Sequence, residues 1–359
     1  MTNIDLRVCR SSFDLCCFAT RSLLMRFSLT MTVAASAMLC WSQTPVIAAE
    51  GGVSVSLLGS HATGAGITPP PGVFFQNDFY YYDGKLSGGR TLPTGGLLVA
   101  DVSAQSWIEL PTTLWVTPAK ILGGNLAFSL TVPVGEPRVN ANLLVNSPRF
   151  GPIGVGVTDK NANLGDFFLQ SFVGWQSGNF HWQLGVGGVI PSGTYVAGQL
   201  SNASLNRPAL DVFGTFTWLD SAIGWDLSAA VGVTFNQTNT ATDYKSGDEF
   251  HLEWAATKYI TKEFTLGLVG YYYQQLTADS GTGARLGAFE GRVIALGGSI
   301  GYTFEVGKLP ISTRLKIYRE FDAVNRMEGT AGYFTVSVPV ALDTNAMALA
   351  DGRSIKTKF

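Results

Sequence analysis

The feature that most limits how this chain can fold is a recurring alternation of apolar and polar residues. Phe250, Leu252 and Trp254, for example, alternate with His251 and Glu253. Because successive side chains of a β-strand point to opposite faces, this pattern predicts a strand with one apolar and one polar face. The alternation recurs along most of the chain. A water-soluble sandwich is built from the same kind of strand, so alternation alone leaves two all-β architectures open.

The lengths of the connections favour one of these architectures. Strands are predicted at 72–83, 98–110, 121–133, 165–176, 179–190, 208–219, 222–236, 248–260, 263–276, 291–304, 309–320 and 329–341. Short connections are expected near 111–120, 177–178, 220–221, 261–262 and 305–308, and long ones near 84–97, 134–164, 191–207, 237–247, 277–290 and 321–328. Outer-membrane barrels have short periplasmic turns and long external loops. The sequence therefore predicts an all-β fold, a transmembrane antiparallel up-and-down β-barrel of about 12 strands over residues 71–341.

The composition agrees with a barrel whose outer surface contacts lipid. Charged residues make up 14% of the chain and hydrophobic residues 46%, whereas soluble domains contain about 25% charged residues. Beyond the N-terminal region, no apolar stretch approaches the roughly 18 residues that a spanning helix needs. Since only helices and closed barrels satisfy the backbone inside a bilayer, the composition favours a barrel.

The first 49 residues have the pattern of an export signal. Arg21 and Arg26 precede an apolar run at 27–41, and small residues follow at Ala48 and Ala49. This order predicts a secretory signal peptide that is cleaved near Ala49, preceded by an over-long start at residues 1–24. A single membrane anchor is the alternative interpretation. All four cysteines precede the predicted cleavage site, so the mature chain has no thiolate metal site.

Two further segments flank the predicted barrel. Residues 50–70 are rich in glycine and are predicted to enter the barrel as a partial plug. Residues 342–359 alternate weakly and are predicted to be a C-terminal tail. The mature chain is mildly acidic, which gives no electrostatic reason to expect a nucleic-acid partner.

Several motifs in the second half of the chain resemble those of a known family. They are Gly165-Asp166, Pro191-Ser192-Gly193-Thr194-Tyr195 with Asn206 and Pro208, Thr242 to Asp248, Gln274 to Gly281, and Arg292 to Gly297. In order and spacing they resemble the outer-membrane "MetA-pathway of phenol degradation" family over about residues 70–341. The resemblance implies an outer-membrane barrel and the uptake of small hydrophobic or aromatic compounds. It supplies no catalytic residues.

The polar faces of the predicted strands give the candidate functional residues. Lumen or selectivity candidates are Gln183, Asp211, Asp226, His251, Glu253, Arg314, Lys316 and Glu320, and aromatic candidates at loops and strand ends are Tyr271, Tyr272, Tyr273 and Phe289. Charges of both signs either pair into a plug-like network or line a channel and set its selectivity. No metal site and no cofactor are expected.

Three functions remain open from the sequence. The first is an outer-membrane channel for passive uptake of small hydrophobic or aromatic solutes. The second is a structural or adhesive barrel with a blocked lumen. The third is a lipid-acting outer-membrane enzyme that uses His251 and Glu253 beside a serine, although the inward direction of His251 argues against it and an enzyme is not expected. The expected partners are outer-membrane lipids and these solutes, and the oligomeric state is left open.

Overall fold

The computed structural model describes residues 54–91, 97–147, 151–284, 288–307 and 309–342. Within these residues the chain forms strands and no helix. The strands are β1 (Gly72–Thr91), β2 (Leu97–Ile121), β3 (Gly124–Thr131), β4 (Val134–Ser147), β5 (Gly151–Lys160), β6 (Asn163–Leu164), β7 (Phe167–Ser177), β8 (Phe180–Ile190), β9 (Ala209–Asp220), β10 (Trp225–Asn236), β11 (Glu249–Tyr259), β12 (Phe264–Gln275), β13 (Arg292–Val306), β14 (Leu309–Val324) and β15 (Glu328–Leu342). Accordingly, no described helix is long and apolar enough to cross a membrane.

The strands close into an antiparallel barrel. Most strands pair with their neighbours in the chain, except that β2 pairs with both β3 and β4 and that β3 pairs with β7. Strand β1 pairs with both β2 and β15, which joins the two ends of the sheet. Two positions around the barrel are each shared by consecutive short strands. Strands β3 and β4 form one, interrupted at Val132–Pro133, and β5, β6 and β7 form the other. The barrel therefore has 12 positions, and the predicted fold class is confirmed.

One predicted turn is wrong. Residues 111–120 are not a connection, because β2 continues through them to Ile121. The reversal occurs at Leu122 and Gly123, whose φ angles are +49° and +83°. Positive φ at both central residues is the signature of the two-residue hairpin turn that matches strand twist. Pro118 is tolerated inside β2 because it lies in a register shift on the β3 side, where its missing N–H breaks no ladder hydrogen bond.

Three predicted long connections also differ from the structure. Most of 134–164 is a hairpin of β4 and β5, and much of 84–97 extends β1 and β2. The connection predicted at 321–328 shrinks to 325–327, because β14 runs to Val324. Weak alternation concealed these extensions, since strands beyond the membrane have no lipid-facing side. Residues 1–53 and 343–359, which include the predicted signal peptide and nearly all of the predicted tail, lie outside the described residues.

The outer face of the barrel is an apolar belt. Large hydrophobic side chains alternate outward along the strands, among them Leu184, Leu268, Leu296 and Ile317. In water such a continuous apolar surface is unfavourable, whereas in a bilayer it contacts the hydrocarbon chains of the lipids at no cost. The belt is the physical reason for the period-two pattern in the sequence.

Replacing Leu268 with Arg is expected to destabilise the barrel in lipid. Leu268 lies in the middle of β12 and is 65% exposed, and a cation at this depth costs roughly 2–4 kcal/mol. The measurement is the free energy of unfolding in phospholipid vesicles by denaturant titration. Leu122→Arg is the matched control, because Leu122 is 90% exposed in a turn outside the belt. Equal losses for both variants contradict the lipid-facing assignment of β12.

Candidate functional site

The interior of the barrel is polar and densely filled. The eight predicted lumen residues all point inward, and seven of them are buried: Gln183, Asp211, Asp226, His251, Glu253, Lys316 and Glu320. Arg314 is partly exposed and also lies on the inner face of β14. Their common direction follows from the strand phase, because one face of each strand is committed to the belt. The phase alone does not reveal what these residues contact.

The main occupant of the lumen is the chain itself. Residues 54–71 form no strand, yet they cross the interior from the long-loop end to the short-turn end. The backbone N–H of Val55 donates to Glu249 at 3.3 Å, and that of His61 donates to Glu253 at 2.8 Å. Further along, the Oγ1 atoms of Thr63 and Thr257 lie 2.6 Å apart. The first half of the segment therefore runs along most of the length of β11.

The second half of the segment binds the neighbouring strands. Gly64 N donates to Ser228 Oγ at 2.9 Å, and Gly66 N donates to Thr217 Oγ1 at 2.8 Å. Gly66 is required by the close approach, because a Cβ there would lie 2.6 Å from the backbone nitrogen of Thr217. A buried glycine contact of this kind indicates a fixed path along the wall rather than a loosely filled lumen.

Lys316 holds the segment from the opposite wall. Its Nζ donates to the carbonyl oxygens of Gly59 at 2.6 Å and Ser60 at 2.8 Å, and lies 4.5 Å from the centre of the Tyr333 ring. Tyr333 itself donates to the carbonyl of Leu58. A buried ammonium is costly unless it is hydrogen-bonded, so these carbonyls satisfy Lys316 and fix the segment at the same time.

A cluster of tyrosines lies beside this contact, on the inner faces of β1, β12, β14 and β15. Its buried members include Tyr271, Tyr273, Tyr318 and Tyr333, packed against Leu58. The carboxylate of Glu320 accepts hydrogen bonds from the hydroxyls of Tyr271 at 2.8 Å and Tyr82 at 2.7 Å. Phenol rings with satisfied hydroxyls give the lumen a surface that is both aromatic and polar.

The predicted aromatic candidates divide between three environments. Tyr271 and Tyr273 are not loop residues, because both lie within β12 and are buried in the tyrosine cluster. Tyr272 is on the outward face of the same strand, where its ring lies 6.2 Å from that of Phe250. Phe289 lies in the loop after β12, and its carbonyl accepts a hydrogen bond from Gln275 Nε2. A run of three tyrosines in a strand necessarily sends its middle member to the other face.

The arrangement around His251 does not match a hydrolase. His251 Nε2 contacts Asp211 Oδ1 at 2.9 Å, and Thr234 Oγ1 donates to the same oxygen at 2.8 Å. Glu253 does not orient His251, because its carboxylate is engaged by His61 of the segment. Among the described residues, no three metal-ligating side chains converge into a group that can hold a metal.

One buried ion pair was missed by the sequence reasoning. Arg207 Nη2 lies 3.6 Å from Glu249 Oε1, and both side chains are nearly inaccessible to solvent. Asn236 connects the two, accepting from Arg207 Nε at 3.2 Å and donating to Glu249 at 3.0 Å. Glu249 was detectable as the next inward position before His251. Arg207 was not, because it comes from a connection without periodicity.

A cavity of about 270 Å³ remains at the short-turn end, between the segment and the wall formed by β1 and β12 to β15. Hydroxyl and amide side chains dominate its lining, together with Arg314 and Lys316. The filled interior thus retains one polar space beside the segment.

These features can be compared with known proteins. A model of the family described as "Putative MetA-pathway of phenol degradation" matches residues 87–336. This chain belongs to that family. No curated protein matches the sequence.

One solved structure shares the fold of this MetA-pathway family member. An outer membrane channel from Pseudomonas putida F1 has a TM-score of 0.55 at 12% identity, covering 77% of this chain and 98% of that chain. A FadL homologue from Pseudomonas aeruginosa has a TM-score of 0.34 at 12% identity, covering 82% and 98%. The first likeness shows a shared barrel fold, and the second is too low to carry an argument.

In this member of the MetA-pathway family, the motifs noted in the sequence fix the loops at the long-loop end. Asp166 accepts hydrogen bonds from Gly193 N at 3.0 Å, Ser204 Oγ at 2.7 Å and Leu205 N at 2.8 Å. The side chain of Asp279 joins two other motifs by accepting from Gly247 N at 3.1 Å. Asp166, Gly193, Gly247 and Asp279 of these motifs therefore organise the long loops.

Another contact between these loops involves Asp243. Its carboxylate accepts hydrogen bonds from the hydroxyl and the backbone N–H of Thr282. These hydrogen bonds lower the pKa of Asp243 below its ordinary value, because they favour the ionised carboxylate. The contribution of this contact to stability is consequently lost only in acid, as the pH falls through the lowered pKa of Asp243.

Proposed function

We propose that the barrel is an outer-membrane channel for passive uptake of small hydrophobic or aromatic compounds, and that residues 54–71 are its plug. The proposal includes export by a signal peptide that is cleaved near Ala49. The apolar belt and the membership of the MetA-pathway family support the membrane location. The channel from Pseudomonas putida, which has the same fold, supports the transport role.

The observation that carries the proposal is the way the segment is held. It contributes no strand to the sheet, and its contacts are hydrogen bonds and packing against inward-facing side chains. A segment of this kind can leave the lumen without breaking the barrel, because every ladder hydrogen bond remains in place. Its departure frees the tyrosine cluster, whose rings and hydroxyls suit an aromatic solute.

A second candidate function is a structural or adhesive barrel with a permanently blocked lumen. The buried pair of Arg207 and Glu249 and the filled interior favour it. In this case the external loops held by Asp166 and Asp279 are the working surface. The two functions differ in whether the segment ever moves.

Uptake by whole cells tests the channel. Radiolabelled phenol and toluene are supplied at limiting concentration to a strain lacking the gene, with and without the wild-type protein. We expect the protein to increase uptake, because the outer leaflet of the outer membrane slows free diffusion of such compounds. Surface labelling verifies that the protein reaches the outer membrane. Equal uptake by the two strains, at equal surface expression, argues for the blocked barrel.

A further inference from the structure

The cavity beside the segment has the chemistry of an anion site. Its lining includes the hydroxyls of Thr265 and Ser312, whereas those of Thr335 and Ser337 already donate to Asp78 and Gln76. Among its described lining residues the only carboxylate is Glu263, which lies in the turn before β12 and accepts a hydrogen bond from Thr261. Arg314, Lys316 and Lys262 contribute positive charge. The balance favours a negatively charged occupant.

Arg314 is the residue that most needs a partner. Its Nη1 is buried and has no hydrogen-bond partner among the described residues, and the guanidinium forms no salt bridge with them. It pairs across the strands with Gly301 and Thr335. A Cβ on Gly301 would clash with Thr265 Oγ1 but would make only an ordinary contact with Arg314 Cζ at 3.5 Å, so the glycine makes room for the threonine hydroxyl. A buried donor on a charged group is costly when it is left unsatisfied.

The other charged groups near Arg314 are only partly engaged, because Asp226 Oδ2 has no hydrogen-bond partner among the described residues. Lys316 donates to the carbonyls of Gly59 and Ser60. On the opposite side of the lumen, one oxygen of Asp226 accepts from Ser228 Oγ at 2.6 Å and from Gly64 N at 3.4 Å. Asp226 does not line the cavity. Arg314 is therefore a cation that lines the cavity and has no ion pair among the described residues.

The size of the cavity limits what that group can belong to. A volume of about 270 Å³ corresponds to roughly nine water molecules at about 30 Å³ each. This space exceeds the needs of a single inorganic ion and suits a small organic molecule. The planar fork of an arginine matches a carboxylate with two parallel hydrogen bonds, and the ring of Tyr259 in the lining supplies an aromatic surface.

We propose that this cavity binds small organic carboxylates through Arg314, at the short-turn end of the lumen. Solutes with an apolar body and one carboxylate are then held where they leave the barrel. The proposal rests on the proposed function, because such a solute reaches the cavity through the lumen. Under this proposal, the channel also takes up aromatic compounds that carry a carboxylate.

Binding of benzoate to the purified, detergent-solubilised protein tests the proposal by isothermal titration calorimetry at neutral pH. Benzyl alcohol is the neutral comparison. We expect benzoate to bind more tightly than benzyl alcohol, and Arg314→Gln to weaken benzoate binding by at least about tenfold, the loss of one charge-assisted hydrogen bond. Arg319→Gln is the matched control, since Arg319 is an exposed arginine on the outward face of the same strand. We expect its affinity to be unchanged.

The outcomes separate this proposal from the channel itself. Equal affinities of wild type and Arg314→Gln for benzoate overturn it, as do equal affinities for benzoate and benzyl alcohol. Arg314→Lys guards against a folding artefact, and we expect it to retain part of the affinity because it keeps the charge. Arginine-dependent binding without cellular uptake upholds the cavity and contradicts the channel. Uptake of phenol without binding of benzoate upholds the channel and contradicts the carboxylate site in the cavity.

Discussion

Removing residues 54–66 is expected to raise the single-channel conductance of the barrel in planar bilayers by at least about tenfold. The wild-type segment is held by contacts distributed over β9, β10, β11 and β14. Two net hydrogen bonds of about 1 kcal/mol each already keep a segment in place in more than nine molecules out of ten. Without the segment, the space that it occupies fills with water and conducts ions.

The deletion leaves the barrel itself intact, because the segment forms no strand. Strand content by circular dichroism verifies this before any current is recorded. A synthetic peptide of residues 54–66 is the matched control, and adding it to the deletion variant is expected to reduce the current again. Unchanged conductance in a folded deletion variant contradicts the assignment of the segment as the plug and supports a lumen that is blocked by wall residues.

Locking the segment to the wall is expected to have the opposite effect. The Oγ1 atoms of Thr63 and Thr257 face each other at 2.6 Å, so a Thr63→Cys/Thr257→Cys variant places two thiols within reach of a disulfide. The mature chain is predicted to have no cysteine of its own, which avoids competing bonds. If the segment must leave the lumen, we expect oxidation to lower phenol uptake to that of cells without the protein, and reduction to restore it.

The two single cysteine variants are the controls for this experiment. Each carries one of the substitutions but forms no cross-link to the wall, so oxidant and reductant are expected to leave their uptake unchanged. Full uptake by the oxidised double variant indicates that solutes pass the segment in place or do not use the lumen. The deletion and the cross-link therefore test one movement from both directions.

The loops that the family motifs organise have a different role from the lumen. Asp166 and Asp279 each connect loops that are distant in sequence, and the hydrogen bonds from Thr282 lower the pKa of Asp243. These contacts hold the long loops over the end of the barrel at which the segment begins. Several motif residues, Asp166 and Asp279 among them, are thus explained by loop architecture, whereas the residues that contact the segment come from the strands.

The sequence by itself determined the strands and the direction of their side chains. Period-two alternation is a local property, and lipid on one side of every strand enforces it. For this reason Phe250 and Leu252 were assigned outward, and His251 and Glu253 inward, without knowledge of any neighbour. Several connections were misplaced, among them the hairpin of β4 and β5 and the turn at Leu122. In the latter case Trp115 and Val116 still alternate between an exposed and a buried position.

Only the tertiary structure decided what the inward residues contact. His61 and Glu253 are separated by 192 positions in the chain, and Lys316 meets Gly59 across 257. The partnership of Arg207 with Glu249 likewise depends on how a loop folds over the barrel. No periodicity encodes such contacts, since they arise when the sheet closes and the segment enters it. The physical reason is that all outward side chains contact the same apolar solvent, whereas each inward polar side chain needs a specific hydrogen-bond partner.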